Sequence, residues 1–209
     1  MGPPRPTLRD SVSFLYYVTM DILLFGIQGS GKGTQARKLV EEFGYFFFET
    51  GAELRKIIAS GTELGKEVAS YTDKGNLAPT PIVMEVVRTA IAQLPTDQKI
   101  LFDGIPRSID QKEQFDPILA DLHRDITGIQ ITLPEEEAVK RLVLRAEKEG
   151  RTDDVLEDAI RRRIEVFKEK TVPVIEAYRQ EGKMVDIDGQ GVVEEVYERV
   201  KSACSFLAS

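Results

Sequence analysis

The sequence is poor in the side chains that most often carry metal or nucleophilic chemistry. Among its 209 residues it has one cysteine, Cys204, one histidine, His123, and no tryptophan. A disulfide within the chain is therefore impossible, and a zinc site built on cysteines is excluded. A Ser-His-Asp or Cys-His scheme would have to use His123, and no residue pattern around it suggests one. We therefore expect no bound zinc.

Long apolar runs and an excess of basic residues are also missing. No stretch approaches the roughly 18 unbroken apolar residues of a membrane helix. The formal net charge is −7, unlike the basic face of a protein that binds duplex nucleic acid. We expect a cytoplasmic protein with no membrane or nucleic-acid partner. Residues 1–19 resemble a secretion signal only faintly, and we interpret them as an N-terminal extension before a single domain over residues 20–207.

Short apolar runs alternate with helical patterns along the rest of the chain. Apolar runs of four to eight residues without polar alternation are typical of parallel strands covered on both faces. The pattern predicts a doubly wound α/β fold with a parallel five-stranded sheet. The predicted strands are residues 21–26, 45–48, 99–103, 127–132 and 183–187. The predicted helices are residues 32–43, 52–60, 63–74, 81–93, 109–122, 134–149, 156–181 and 192–207.

A glycine-rich loop follows the first predicted strand. Residues 26–34 read Gly-Ile-Gln-Gly-Ser-Gly-Lys-Gly-Thr and open the first helix, which is the context that the Gly-x-x-x-x-Gly-Lys pattern requires. Backbone N–H groups of such a loop form an anion nest at a helix N-terminus, and Lys32 can reach the β and γ phosphates. Gly33 stands where a hydroxyl ligand to Mg²⁺ is usual, so we expect phosphates and waters to hold most of the metal's coordination shell.

Several motifs together resemble the nucleoside monophosphate kinases, and the adenylate kinases in particular. Residues 31–35 read Gly-Lys-Gly-Thr-Gln, residues 50–55 read Thr-Gly-Ala-Glu-Leu-Arg, and residues 103–107 read Asp-Gly-Ile-Pro-Arg. The resemblance implies a P-loop kinase fold with a helical AMP-binding insert over about residues 50–79 and a short lid over residues 145–154. It also implies reversible transfer of the terminal phosphate of Mg-ATP to AMP, giving two ADP, by a monomer.

The resemblance assigns one set of residues to ATP. Lys32 would neutralise charge on the phosphates, and Gly191, in the run Asp-Gly-Gln-Gly at 188–191, would pack on the adenine. The implied ATP-binding residues are Gly29, Ser30, Gly31, Lys32, Gly33, Thr34, Arg145 and Gly191.

A second set is assigned to AMP and the metal. Thr50 would contact the adenine, Arg55 and Arg107 the phosphate, and Gln111 would read the base, while Asp103 would hold Mg²⁺ through water. The implied AMP-binding residues are Thr50, Arg55, Asn76, Leu77, Ala78, Gly104, Ile105, Pro106, Arg107, Gln111, Arg151 and Arg163. The implied catalytic residues are Lys32, Arg107, Arg145, Arg151 and Arg163.

Two departures from the family pattern keep alternatives open. Ala52 replaces an aspartate of the acceptor motif, and Ile105 replaces a phenylalanine beside AMP. The chain could be a kinase for UMP or CMP, a nucleotide sensor without transfer activity, or a catalytically weak homologue. Arg162 is an alternative to Arg163, because one residue turns a helix face by about 100°.

Overall fold

The fold is built around one fully buried strand. The computed structural model describes residues 20–149 and 157–206, and in it β1 (Asp21–Phe25) is buried along its whole length. The other strands are β2 (Phe46–Glu49), β3 (Ile100–Asp103), β4 (Ile126–Thr132) and β5 (Met184–Asp188). All pairings are parallel, in the order β2-β3-β1-β4-β5. The predicted doubly wound five-stranded sheet is therefore confirmed.

The register brings strand ends together at one edge. Leu24 of β1 pairs with Asp103 of β3, and Asp103 pairs in turn with Glu49 of β2. Because all strands run the same way, the loops that leave them emerge side by side. Open α/β sheets bind ligands at this edge, where the strand order reverses.

Helices cover both faces of the sheet. The described helices are α1 (Lys32–Phe43), α2 (Thr50–Ala59), α3 (Glu63–Thr72), α4 (Thr80–Ala92), α5 (Ile109–Asp121), α6 (Glu135–Glu149), α7 (Glu157–Val166), α8 (Val172–Gln180) and α9 (Val193–Phe206). One face of the sheet packs Phe102 against Phe115 and Tyr178, and the other packs Ile129 against Leu39. None of these described helices is long and apolar enough to cross a membrane.

The long helix predicted over residues 156–181 is wrong in its middle. Helix α7 ends at Val166, a π-helical turn runs over Phe167–Thr171, and α8 begins at Val172. Pro173, at the start of α8, has no N–H to donate to a carbonyl of the preceding turn, which disfavours one continuous α-helix across this point. The wider π turn accommodates this break while Phe167 packs between two apolar clusters.

Three consecutive helices lie between β2 and β3. Helices α2 and α3 pack so closely that a Cβ on Gly65 would lie 2.5 Å from the carbonyl oxygen of Ile57, and α4 returns to the core through Val83, Met84 and Val87. This arrangement accommodates a helical insert, whose limits at 50–79 stay a prediction. Residues 150–154 of the predicted lid lie outside the described residues.

A buried ion pair anchors the opposite end of β1. The carboxylate of Asp21 accepts from the backbone N–H of Ile100 at 2.8 Å and from Nη1 of Arg124 at 2.8 and 3.0 Å. Arg124 also donates to the carbonyl of Gln98. The side chains of Asp21 and Arg124 are only 1% and 6% exposed, so this contact joins β1, β3 and the segment before β4 out of reach of water.

We predict that Arg124→Leu lowers the free energy of unfolding by roughly 3 kcal/mol, because it leaves the Asp21 carboxylate buried without its partner. Urea denaturation of the purified variant measures this loss. The control is Lys66→Ala, which removes an exposed ion pair to Glu63 and should cost less than about 1 kcal/mol. Equal losses in the two variants would contradict the assigned role of the buried pair.

Candidate active site

A cavity of about 720 Å³ lies at the carboxyl ends of the central strands. Its wall combines the loop after β1, the ends of β2 and β3, the turn at residues 75–78 and one side of α7. It brings together most of the residues predicted for the site, namely Gly29, Ser30, Gly31, Lys32, Gly33, Thr34, Thr50, Arg55, Asn76, Leu77, Ala78, Asp103, Gly104, Ile105, Pro106, Arg107, Gln111 and Arg163.

The glycine-rich loop has the conformation of an anion nest. Gly29 and Gly31 have φ angles of 85° and 92°, which side chains with a Cβ rarely adopt. A Cβ on Gly29 would also lie 2.6 Å from the carbonyl oxygen of Ala138, so glycine is required there by space as well. Gly31 is the N-cap of α1. Lys32 donates from Nζ to the carbonyls of Gly26 at 2.7 Å and Ile27 at 3.2 Å, which holds its ammonium beside the loop.

Asp103 and Arg107 form the charged floor of the cavity. Burial raises the pKa of Asp103, and the positive charges of Lys32 and Arg107 offset this only in part. Burial lowers the pKa of Arg107, and the negative charge of Asp103 acts in the opposite direction. Each of these groups therefore stabilises the charged form of the other. Without its partner, burial would make the charged form of either group unfavourable.

The turn after β3 is held by hydrogen bonds of Arg107. Its Nε donates to the carbonyl of Gly104 at 3.0 Å, and its backbone N–H donates to Oε1 of Gln111 at 2.7 Å. Because an N–H can only meet an acceptor, this bond fixes the amide orientation of Gln111 and points its NH₂ group elsewhere. Thr171, from the π turn, donates from its hydroxyl to the carbonyl of Arg107 at 3.0 Å.

The side of the cavity next to β2 carries a buried hydroxyl and a paired arginine. Thr50 Oγ1 has no hydrogen-bond partner among the residues that the structure describes, although Thr50 is only 4% exposed. Arg55 donates from Nη2 to Oε1 of Glu49 at 2.8 Å. A buried polar atom without a partner is unusual in a folded protein, and Thr50 lines the cavity, where a ligand could supply that partner.

The choice between two neighbouring arginines follows from the phase of α7. Arg163 lines the cavity and donates from Nη2 to the carbonyl of Thr72 at 3.4 Å. Arg162 faces the rim, where its Nε donates to Oδ1 of Asn76 at 3.1 Å. Arg163, and not Arg162, therefore lies on the cavity wall, while the role predicted for Arg163 stays a prediction. Arg151 and the side chain of Arg145 lie outside the described residues.

Some cavity residues were not predicted, and one predicted residue lies elsewhere. Gly189, not Gly191, lines the cavity after β5, and a Cβ on Gly189 would lie 2.7 Å from both Ile131 Cγ2 and the carbonyl oxygen of Thr132. Glu49 and Arg37 also line the cavity. Glu49 lies beside Asp103 through the register of β2 and β3, which no local sequence signal reveals. No sequence signal singled out Arg37.

The site offers few protein ligands to a metal ion. Within residues 20–149 and 157–206, no cluster of three or more histidine, cysteine, aspartate or glutamate side chains could enclose one. Asp103 is a buried carboxylate, and the positive charge of Lys32 in the phosphate loop acts to lower its pKa. Mg²⁺ keeps several waters and is commonly bound by one or two carboxylates with phosphates, so this donor set fits an Mg²⁺ that arrives with a nucleotide.

We predict that Asp103→Asn removes a loss of stability that the unliganded, unaltered protein undergoes as pH rises, because burial raises the pKa of Asp103. A carboxyl whose folded-state pKa is raised binds its proton more tightly in the folded chain, so stability falls as pH rises from its unfolded pKa through the folded one. This fall in stability with rising pH should be absent from the asparagine variant. Urea denaturation at pH 4.5 and pH 7.5 checks this, with the fold verified by circular dichroism. The same change in stability between pH 4.5 and pH 7.5 in the variant and in the unaltered protein would contradict the prediction.

Comparison with known proteins gives one consistent result. The family model described as adenylate kinase matches residues 24–183. An adenylate kinase of Thermus thermophilus is 39% identical over 87% of this chain and 95% of its own length, and one of Maricaulis maris is 42% identical over 88% and 98%. One of Bacteroides fragilis is 36% identical over 90% of the chain and its whole length. Because the family model and these relatives cover most of its length, the chain belongs to the adenylate kinase family.

Proposed function

We propose that this cavity transfers the terminal phosphate of Mg-ATP to AMP and forms two molecules of ADP. The chain is a nucleotide phosphotransferase by its family, and the proposal concerns which residues do the work. The observation that best supports this proposal is that two separate sets of anion-binding groups face the same cavity. A protein that only bound a nucleoside triphosphate would need the first set alone, which argues against a sensor.

The donor half is the glycine-rich loop with the N-terminus of α1. Backbone N–H groups of Gly29 through Thr34 surround the phosphates, and Lys32 moves its ammonium from the carbonyls of Gly26 and Ile27 to the β and γ phosphates. We propose that Arg145 also binds ATP. For the adenine we keep Gly191 as the predicted contact, with Gly189 beside it on the cavity wall.

The acceptor half lies between β2 and the turn at 75–78. Arg55 and Arg107 bind the AMP phosphate, since a guanidinium can donate two parallel hydrogen bonds to it. The hydroxyl of Thr50 and the NH₂ of Gln111 face the adenine, and both are buried. Adenine presents ring nitrogens that accept such donors, so the fixed amide orientation of Gln111 favours AMP over UMP, whose N3 is a donor.

Transfer needs positioning and charge stabilisation more than acid–base chemistry. The acceptor is already an ionised phosphate, so no side-chain base has to remove a proton from it. Arg107 and Arg163 stabilise negative charge on the phosphoryl group in flight, together with Arg145 and Arg151. Mg²⁺, bound to the ATP phosphates, would neutralise charge there, and Asp103 would orient its waters.

Water must be kept from the donor phosphate, or ATP would be hydrolysed. We propose that the helical insert over residues 50–79 and the short lid over residues 145–154 close on the substrates for this reason. Most of the residues proposed to bind the two substrates line one cavity of one chain, so the proposal includes a monomer. The same proposal includes a cytoplasmic location, where ATP and AMP are available, and no nucleic-acid or membrane partner.

We predict that Lys32→Met lowers kcat at least a thousandfold, because the variant lacks the ammonium group that stabilises negative charge on the phosphates during transfer. A coupled assay of ADP formation from Mg-ATP and AMP measures kcat. The control is Lys66→Met, an exposed lysine of α3, which should retain full activity. An unchanged melting temperature in both variants shows that the fold is intact, and near-normal turnover in Lys32→Met would refute the donor site.

We predict that Gln111→Glu raises KM for AMP roughly tenfold. The variant keeps an oxygen that accepts from the N–H of Arg107 but replaces the NH₂ donor with a second acceptor, which meets the adenine ring nitrogen unfavourably.

The same assay with AMP, UMP, CMP and GMP, on the unaltered protein and on the variant, tests base recognition. Preference for AMP should shrink in Gln111→Glu while KM for ATP stays within about twofold. A preference for UMP or CMP in the unaltered protein would overturn the acceptor assignment and retain the phosphotransfer.

A further inference from the structure

Two consecutive arginines of α7 point in different directions. Arg163 lines the cavity, whereas Arg162 is turned by about 100° around the helix axis toward the rim. There its Nε donates to Oδ1 of Asn76 at 3.1 Å, and its Nη1 donates to Glu165 of the same helix at 3.3 Å. Glu165 and Asn76 thus hold the guanidinium from two sides, which restricts the freedom of this long side chain.

Asn76 belongs to a tight turn between α3 and α4. Its backbone N–H donates to the carbonyl of Tyr71 at 3.1 Å, and the N–H of Gly75 donates to that of Thr72 at 3.0 Å. Gly75 has a φ of 76°, a conformation that glycine adopts easily. The backbone is therefore held within its own turn, while the side chain of Asn76 is used for the contact with α7.

The two contacts connect separate parts of the cavity wall. The turn lines the proposed acceptor half, and α7 carries Arg163, which is proposed to stabilise the transferred phosphate. Arg163 also reaches this turn region through the carbonyl of Thr72, at 3.4 Å. That distance is long for a hydrogen bond, so Arg162 to Asn76 is the stronger of the two connections. Both span about ninety residues of sequence.

We propose that Arg162 is a positioning residue for the acceptor substrate. It ties the turn at 75–78 to α7, so that the wall of the AMP pocket and the arginine at the phosphate move as one unit. This inference rests on the proposed function, since it assumes that the turn lines the AMP side. Without the contact, the turn must be ordered by AMP itself, and that ordering weakens AMP binding.

The effect should be confined to one substrate. Arg162→Met keeps the length and packing of the side chain and removes its donors. We expect KM for AMP to rise roughly three- to tenfold, the range for losing one ordinary, partly exposed hydrogen bond. KM for ATP should stay within about twofold, because the phosphate loop is not touched. The control Arg88→Met removes one positive charge from the exposed side of α4 and should change neither KM.

A double-mutant cycle separates the contact from a general loss of structure. Asn76→Ala should raise KM for AMP like Arg162→Met, and the combined variant should match Arg162→Met alone, because both changes remove the same bond. Hydrogen–deuterium exchange of the amides at 75–78 supplies a second readout without activity, and it should be faster in Arg162→Met.

The unaltered chain is assayed first, because its activity tests the proposed function independently of the positioning role of Arg162. Absence of phosphate transfer to AMP there would refute the proposed function. With transfer present, multiplicative effects in the double variant, equal changes in KM for both nucleotides, or unchanged exchange at 75–78 would each overturn the role of Arg162 alone.

Discussion

The parallel pairing of β1 with β3 is the constraint on which the site depends. It sets Leu24 beside Asp103, so the phosphate loop and the turn holding Arg107 leave the sheet at the same level. Lys32 and Asp103, far apart in sequence, therefore come close enough for each to act on the other's charge. The pairing of β2 with β3 then adds Glu49 and the start of α2 to the same edge, and with them the proposed acceptor residues.

The charged side chains at this edge of the sheet would not by themselves favour folding. Arg107 is half-buried near Arg163 and Arg55, whose positive charges disfavour its own, while the negative charges of Asp103 and Glu49 favour it. Glu49, bound to Arg55, and Asp103, near Lys32, act as internal counterions for positive charges that line the cavity. Such arrangements are tolerated at functional sites because stability is supplied elsewhere. Here the apolar clusters on both sheet faces supply it.

Local signals explain what the sequence predicted well. The strands are short apolar runs, and the phosphate loop is a contiguous pattern, so neither needs knowledge of distant contacts. Glu49 was missed because its role comes from its register beside Asp103, which only strand pairing determines. Gly189 and Gly191 are both glycines of one turn, and the packing of that turn against Ile131 and Thr132 decides which one lines the cavity. The π turn depends in the same way on packing around Phe167.

That π turn has a consequence for the proposed catalytic arginine. Arg163, Phe167 and Thr171 are spaced four residues apart, and all three line the cavity. In a regular α-helix each step of four overshoots a full turn by about 40°, so the third residue would drift away from the face of the first. A π turn holds more residues per turn, since its hydrogen bonds run from i to i+5, and it reverses this drift between Phe167 and Thr171. Thr171 can then donate to the carbonyl of Arg107 while Arg163, on the same face, stays at the cavity. The phase of the helix thus separates Arg163, which lines the cavity, from Arg162, which contacts Asn76 in the turn at 75–78.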